Sequence, residues 1–282
     1  MTYREFWQRL TAIYPEGEAR WVARMVMEIR YGLTHVDLLM GREQQVASDG
    51  ELRVLLQRLL TGEPVQYVLG EAVFCGHRLT VSPAVLIPRP ETEELCQWIL
   101  ESEASTGPST ILDIGTGSGC IAVTLASGMP LSSVAAWDVS YEALLVAGNN
   151  ARQAGVEVAF SHVDVLHLPD SSAAADEWDV IVSNPPYVCE QEKAAMLPTV
   201  LDHEPSLALF VPNDDPLLFY RNIGRYAAEA LKPGGRLYFE MNAIYARDTA
   251  EMLRTLGFTD VTVRNDQCGK ERFIRACRQR NH

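Results

Sequence analysis

The sequence has few of the features that mark metal-binding, secreted or membrane proteins. Its six cysteines, at positions 75, 96, 120, 189, 268 and 277, form no Cys-x-x-Cys pair and no metal-ligand spacing, so we expect free thiols in a reducing compartment. No apolar run approaches the length of a membrane span. Charged residues interrupt Met1-Thr2-Tyr3-Arg4-Glu5-Phe6-Trp7, where a signal peptide would have its apolar core. These absences predict a cytoplasmic protein with no bound metal and no membrane association.

Basic residues are also scarce. The chain has 24 Lys and Arg against 37 Asp and Glu, a formal net charge of -13, and a duplex-binding surface normally needs a basic face. We therefore expect no nucleic-acid partner. With 282 residues, 47% of them hydrophobic, the chain is long enough for one or two domains with substantial cores.

The most informative stretch is Val180-Ile181-Val182-Ser183-Asn184-Pro185-Pro186-Tyr187. Its first residues are apolar and β-branched, which is typical of a strand buried on both faces. The two prolines end the strand because neither can donate to a sheet ladder. The side chains of Asn184 and Tyr187 are then held at the carboxyl end of a central strand, where ligands bind in open α/β sheets.

This tetrapeptide, from Asn184 to Tyr187, can activate a planar NH₂ group. The side-chain carbonyl of Asn184 and the backbone carbonyl of Pro185 can accept its two hydrogens, which turns the nitrogen lone pair towards an electrophile. The same acceptors stabilise the positive charge that grows on nitrogen during methyl transfer. Tyr187 offers an aromatic face to the planar group. The simpler alternative is a strand that ends in an Asn-Pro turn.

A glycine-rich turn follows an earlier predicted strand, in Thr110-Ile111-Leu112-Asp113-Ile114-Gly115-Thr116-Gly117-Ser118-Gly119. Its alternate glycines allow a tight turn and a close approach of the backbone to a ligand. The helix that starts near Cys120 offers N–H groups to a carboxylate. The spacing is Gly-x-Gly-x-Gly rather than the dinucleotide-binding Gly-x-Gly-x-x-Gly, and a plain strand-to-helix turn is the alternative.

Two further predicted strands end in carboxylates. Asp138 lies about 20 residues beyond the glycine turn, where a carboxylate suits the two hydroxyls of a ribose; the alternative is a cap for the helix from 140 to 155. Asp164 could accept from the exocyclic amine of an adenine, with Val165 packed on the ring. The alternative for Asp164 is an ordinary loop aspartate.

Residues 1–70 have helical periodicity throughout. Gly32 is expected to end a helix, Thr34 to cap one, and Ser48 with Glu51 to form a capping box. The segment is either scaffold or a partner-docking domain. Residues 71–88 are predicted to form a β-hairpin linker around Gly76. Arg89, between two prolines, is either part of a structural ion pair or a wall of the active site.

Taken in order, these motifs resemble the release-factor glutamine methyltransferases (the PrmC/HemK family), which belong to the seven-stranded S-adenosylmethionine-dependent methyltransferases. The resemblance covers nearly the whole chain. It rests on the helical amino-terminal segment and on Gly62-Glu63-Pro64-Val65-Gln66-Tyr67-Val68-Leu69-Gly70, Leu86-Ile87-Pro88-Arg89-Pro90-Glu91-Thr92-Glu93, the glycine turn and Ser183-Asn184-Pro185-Pro186-Tyr187. The last motif is shared with adenine and guanine amine methyltransferases.

The resemblance implies an α/β fold: a Rossmann-like seven-stranded sheet at 89–282, with a small helical domain at 1–70 and a hairpin linker at 71–88. It implies transfer of a methyl group from S-adenosylmethionine, leaving S-adenosylhomocysteine, to the glutamine of the Gly-Gly-Gln loop of peptide-chain release factors by a monomeric enzyme. Implied cofactor contacts are Gly115, Thr116, Gly117, Ser118, Gly119, Asp138, Asp164, Val165 and Asn184; implied substrate contacts are Asn184, Pro185, Pro186 and Tyr187. Some relatives have an aromatic residue at position 165, so valine weakens that assignment here.

Two rival functions stay open at this point. A nucleic-acid amine methyltransferase would share the Asn-Pro-Pro-Tyr motif, but the acidic balance and the lack of a large target-reading domain count against it. A catalytically silent binding protein could share the fold, but the intact glycine turn and the intact tetrapeptide count against it.

Overall fold

A computed structural model describes residues 1–42, 48–104, 107–168 and 176–279. The chain divides into two compact units, one of Met1–Glu71 with Met196–Glu204 and one of Ala72–Ala195 with Pro205–His282. The helices in the described residues are α1 Tyr3–Leu10, α2 Glu16–Tyr31, α3 His35–Leu39, α4 Asp49–Leu60, α5 Val65–Leu69, α6 Pro90–Glu103, α7 Cys120–Gly128, α8 Tyr141–Ala154, α9 Pro198–His203, α10 Leu218–Ala230 and α11 Ala246–Thr255. In that part of the chain, no helix combines the length and apolar character needed to cross a membrane.

The strands are β1 Glu71–Phe74, β2 His77–Thr80, β3 Thr110–Ile114, β4 Ser133–Asp138, β5 Ala159–His162, β6 Trp178–Ser183, β7 Val188–Cys189, β8 Phe210–Val211, β9 Leu231–Glu240, β10 Phe258–Asn265 and β11 Glu271–Arg278. Short 3₁₀ turns span Val165–His167, Glu190–Ala195, Ser206–Ala208 and Ala243–Tyr245.

The first unit is helical, as predicted. Its apolar stripes meet in one core that includes Phe6, Leu10, Val26 and Leu52. The predicted helix signals are confirmed at Gly32, which ends α2 with φ +67°, and at Thr34, which caps α3 in a capping box with Asp37.

The capping box predicted for Ser48 and Glu51 is wrong. Ser48 precedes α4 but makes no side-chain cap. The Glu51 carboxylate instead accepts from Arg30 Nε at 2.7 Å. A residue 21 positions away in sequence competes successfully for this carboxylate because α2 and α4 belong to the same compact unit.

The second unit contains the predicted seven-stranded sheet, in the order β10-β11-β9-β6-β3-β4-β5. The five strands from β9 to β5 run parallel to one another, whereas β11 pairs antiparallel with both β9 and β10. Alternate residues of β6 enter different cores: Val180 and Val182 belong to one apolar cluster and Ile181 to another. Since successive strand residues face opposite ways, the sheet has a core on each face, which explains its continuous apolar strands.

The strand order brings the predicted functional residues to one edge of the sheet. β3 pairs with β4 on one side and β6 on the other, so Ile114, Trp137 and Ser183 lie side by side at the carboxyl ends. After β3 the chain builds β4 and β5 in one direction and then crosses to β6. Such a reversal opens a crevice beyond the strand ends.

The hairpin of β1 and β2 is also present, and it turns at Cys75 and Gly76, both with positive φ.

Candidate active site

A cavity of about 320 Å³ lies beyond the carboxyl ends of β3, β4 and β6, within the size range of small-molecule sites. It brings together most of the residues that the sequence singled out. Those in its lining are Gly115, Thr116, Gly117, Ser118, Asp138, Asp164, Val165, Asn184, Pro185 and Pro186. Gly119 and Tyr187 are not in the lining. Arg89, for which two roles were open, lies in the cavity wall.

The glycine turn has the backbone conformation that its glycines predict. Gly115, Gly117 and Gly119 have φ values of +74°, +54° and +78°. A Cβ at Gly117 would meet no atom within 4 Å, whereas one at Gly119 would lie 2.9 Å from the Ala147 side chain. Gly117 therefore keeps space open at the cavity, while Gly119 allows α7 to pack closely against α8.

Asp138 is nearly buried and joins two parts of the site. Its Oδ2 accepts from the Gly117 N–H at 2.8 Å and its Oδ1 from the Ser140 N–H at 2.9 Å. Burial raises the pKa of Asp138, and these two hydrogen bonds oppose the rise. The cap of α8 is Ser140, whose Oγ accepts from Ala143. Each Asp138 oxygen still has acceptor capacity towards the cavity.

Asp113 lies directly beneath the glycine turn and is fully buried. Its Oδ2 accepts from the Thr116 hydroxyl at 2.7 Å, but its Oδ1 is buried with no hydrogen-bond partner. Burial raises the pKa of Asp113 to about 7, with a further contribution from the nearby charge of Asp138. The Ala122 N–H and the Thr116 hydroxyl lower the pKa, but burial outweighs them, and Asp113 itself does not line the cavity.

Asp164 lies at the entry to the 3₁₀ turn after β5. It accepts from the Leu166 N–H at 2.9 Å and from His167 Nδ1 at 2.7 Å. Burial pushes its pKa upwards, but the hydrogen bonds from His167 and Leu166 outweigh burial and lower the pKa. Its adenine contact therefore stays a prediction, as does that of Val165.

Asn184 is held by a chain of hydrogen bonds that leads into the protein core. Its Nδ2 lies 3.2 Å from Thr92 Oγ1, and the Thr92 hydroxyl donates to Glu240 Oε2 at 2.7 Å. The Tyr187 hydroxyl donates to the other oxygen, Glu240 Oε1, at 3.1 Å. Burial raises the pKa of Glu240, and the bonds from Thr92 and Tyr187 oppose that rise. Burial and the Glu240 charge raise the pKa of Tyr187.

Sequence reasoning missed Thr92 and Glu240 as site residues. Thr92 lies in the first turn of α6 and in the cavity lining. Glu240 ends β9 and is 1% exposed. A carboxylate at the carboxyl end of a predicted central strand was a usable signal, and the same one had pointed to Asp138. The apolar wall from Ala84 to Pro88 and the segment with Leu207 and Ala208 were also missed.

Comparisons with known proteins match both units. The family model for the PrmC N-terminal domain matches residues 2–70, and the Methyltransferase small domain matches residues 72–203. A release factor glutamine methyltransferase of Bacteroides thetaiotaomicron is 42% identical over 273 residues, covering 96% of this chain and 97% of that protein. One from Flavobacterium psychrophilum is 41% identical over 277 residues, covering 96% of each.

Solved structures share this fold. A methyltransferase from Pyrococcus furiosus superimposes with a TM-score of 0.53 at 18% identity, covering 79% of this chain and 97% of that one. A 16S rRNA N2 G1207 methyltransferase from Thermus thermophilus, in complex with AdoMet and guanosine, gives 0.52 at 18% identity, covering 74% and 50%. At this identity the likeness concerns the fold alone.

Proposed function

The chain belongs to the family of release factor glutamine methyltransferases, and on that premise we propose that its cavity binds S-adenosylmethionine beside the glutamine of a release factor. The family resemblance deduced from the motifs is thus confirmed. The enzyme methylates the side-chain amide nitrogen of the glutamine in the Gly-Gly-Gln motif. The observation that carries the proposal is that Asn184 and Pro185 line the same cavity as the glycine turn and Asp138.

The cavity residues fit such a cofactor. Gly117 leaves open space where the backbone meets the cavity, and Asp138, in the cavity lining, can accept from two ribose hydroxyls. Asp164 and Val165 would border the adenine, with Gly115, Thr116, Ser118 and Gly119 completing the turn. The bound cofactor supplies a methyl group on a sulfonium, which is already a strong electrophile.

The chain's own contribution to catalysis is to hold and polarise the substrate amide. Asn184 Oδ1 and the Pro185 carbonyl accept the two amide hydrogens, so that the nitrogen lone pair is directed at the methyl carbon. Both oxygens favour the positive charge that develops on nitrogen. Pro186 lines the pocket beside them. Tyr187 lies outside that lining, so its substrate contact stays a prediction, and the bond from its hydroxyl to Glu240 restrains its ring. Holding the reactants together provides much of the rate.

The helical residues 1–70 are proposed to dock the release factor, with 71–88 as a linker and 89–282 as the catalytic domain. In the first unit, large apolar side chains are exposed: Leu39 is 75% exposed and Met40 64%. Exposed apolar side chains of this kind are candidates for a protein contact. The proposal includes a monomeric enzyme in the cytoplasm, where release factors act.

The acceptor is a protein rather than a nucleic acid in this proposal. Both a glutamine and an adenine present a planar NH₂, so the tetrapeptide alone does not separate them. The net charge of -13 repels a phosphate backbone and attracts a basic protein surface.

The test is incubation of the enzyme with methyl-labelled S-adenosylmethionine, a release factor and duplex DNA in parallel reactions. Label should enter the release factor and be lost when its Gly-Gly-Gln glutamine is replaced. Asn184→Ala should lower the turnover rate by about 10²- to 10³-fold. Release-factor docking should be largely kept, because docking uses a wider surface. Asn149→Ala is the matched control, since Asn149 bonds Thr80 and does not line the cavity.

Label in the DNA, or label in a release factor that lacks this glutamine, would overturn the assignment. Turnover of Asn184→Ala equal to that of Asn149→Ala would remove Asn184 from the reaction.

A further inference from the structure

In the hydrogen bonds that link Asn184 to Thr92 and Thr92 to Glu240, each donor points towards Glu240. Glu240 is 1% exposed and Thr92 2%, so neither side chain has ready access to water. Glu240 accepts from both Thr92 and Tyr187, each oxygen of the carboxylate taking one hydroxyl. Both hydroxyls donate to Glu240, whose carboxylate offers only acceptors in its ionised form.

Because the Thr92 hydroxyl donates to Glu240, Thr92 can bond Asn184 only as an acceptor. A threonine hydroxyl has a single hydrogen, and that hydrogen is used on Glu240. The Thr92 oxygen can therefore only accept, and the atom of Asn184 that lies 3.2 Å from it must be the NH₂ nitrogen. The Oδ1 atom of Asn184 is then the edge of the amide that remains for a ligand.

Direction matters because the two edges of an asparagine amide have nearly the same shape. An amide turned by 180° would present NH₂ to the cavity in place of Oδ1. Two donors would then face each other when a glutamine NH₂ enters, whereas an acceptor such as a carboxylate would bind favourably. The buried acid thus decides, through one hydroxyl, whether the site accepts hydrogens or donates them.

We propose that Thr92 and Glu240 are positioning residues that fix the direction of the Asn184 amide and so make the site select glutamine over glutamate. The inference rests on the proposed function, because it assigns Asn184 Oδ1 to the substrate amide. Neither residue needs to touch the substrate for this effect. Glutamate has the shape of glutamine but lacks the NH₂ hydrogens, and sites built around such hydrogens reject analogues that lack them.

A purely structural role for Thr92 is the competing explanation, since its hydroxyl also ties α6 to the end of β9. Thr92→Val removes the hydroxyl with little change of shape. Thr92→Ser keeps the hydroxyl and should rescue the function. Thr124→Val is the matched control: Thr124 is also a buried helical threonine, but its hydroxyl bonds the Cys120 carbonyl of its own helix.

Glu240→Gln provides an independent variant. A glutamine at 240 can accept from Tyr187 and donate its NH₂ to Thr92, which frees the Thr92 hydroxyl to donate to Asn184 Oδ1. The phenol of Tyr187 is a stronger donor and a weaker acceptor than an aliphatic hydroxyl, which favours Oε1 of the new amide on the Tyr187 side; in that orientation the direction of the chain is reversed and its shape is kept. If Thr92→Val does not fold, the binding preference and kcat of Glu240→Gln still test the proposal.

The experiment compares full-length release factor carrying Gly-Gly-Gln with the same protein carrying Gly-Gly-Glu. Binding is measured by calorimetry with S-adenosylhomocysteine present, and turnover is measured on the Gly-Gly-Gln form. Wild type, Thr92→Ser and Thr124→Val should bind the glutamine form at least about tenfold tighter. Thr92→Val and Glu240→Gln should lose most of that preference and about 10- to 100-fold in kcat.

The outcomes separate the two proposals. A wild-type enzyme that does not methylate the release factor refutes the proposed function. An active wild type that binds both forms equally, or a folded Thr92→Val or Glu240→Gln with wild-type preference and kcat, refutes the positioning role alone. Loss of preference in Thr92→Ser or Thr124→Val to the same extent as in Thr92→Val would mean that packing, not hydrogen-bond direction, is responsible.

Discussion

Replacing Gly117 with alanine tests whether the glycine turn is a ligand site or only a turn. The backbone at Gly117 has φ +54°, so an alanine there costs roughly 1–2 kcal/mol of the free energy of unfolding. The added methyl would meet no protein atom within 4 Å, so no clash adds to that cost. For a domain of this size the melting temperature should fall by about 2–8 °C.

Cofactor binding should suffer more than stability does. Gly117 lines the cavity, and its open space is where we place part of the cofactor. A methyl group forced into an occupied space typically costs roughly 1–3 kcal/mol, so cofactor affinity should fall by about 5- to 150-fold.

Gly155 provides the matched control. It ends α8 with φ +70°, a Cβ there would also meet nothing within 4 Å, and it does not line the cavity. Gly155→Ala should lose a similar few degrees of melting temperature and bind S-adenosylmethionine normally. Calorimetric titration of both variants decides the matter. Equal affinity of Gly117→Ala and Gly155→Ala would refute the reasoning and leave the glycines as turn residues.

Two further predictions concern the buried carboxylates. Asp138→Asn keeps the shape of the side chain but only one of its two acceptor oxygens, so it retains one of the bonds from Gly117 and Ser140. It should weaken S-adenosylmethionine binding at least about tenfold, and unchanged affinity by calorimetry would exclude the ribose contact. Asp113 has its pKa raised to about 7 from 3.8, so its folded form holds a proton that the unfolded chain releases. Its contribution to stability is present below about pH 4 and lost as the pH rises through 7, by up to roughly 4 kcal/mol. Asp113→Asn should therefore gain stability relative to wild type over that interval in denaturant unfolding; a constant difference would contradict the prediction.

Much of the fold could be predicted because its signals are local. The buried strands β3 and β6 are continuous apolar runs, and glycines and prolines mark where they end. Parallel strands align their carboxyl ends, so residues that follow such strands meet at one edge. For that reason Asp138, Asn184 and the glycine turn were expected together, and they line one cavity.

Local patterns were less informative where distant groups compete for one side chain. Ser48 and Glu51 have the spacing of a capping box, yet Glu51 bonds Arg30. Asp138 was expected to face a ligand, but both its oxygens also accept from backbone N–H groups. A sequence motif records which hydrogen bonds are available to a residue, and the packed structure determines which of them form.

The sequence by itself determined which atoms we propose to act here: the carbonyl groups of Asn184 and Pro185, the carboxylate of Asp138 and the open backbone at Gly117. Only the tertiary structure decided how Asn184 is oriented. Thr92 lies 92 residues before it and Glu240 lies on a different strand, so no spacing in the sequence connects the three. Their hydrogen bonds form because folding buries a carboxylate that must be satisfied, and the hydroxyls of Thr92 and Tyr187 satisfy it.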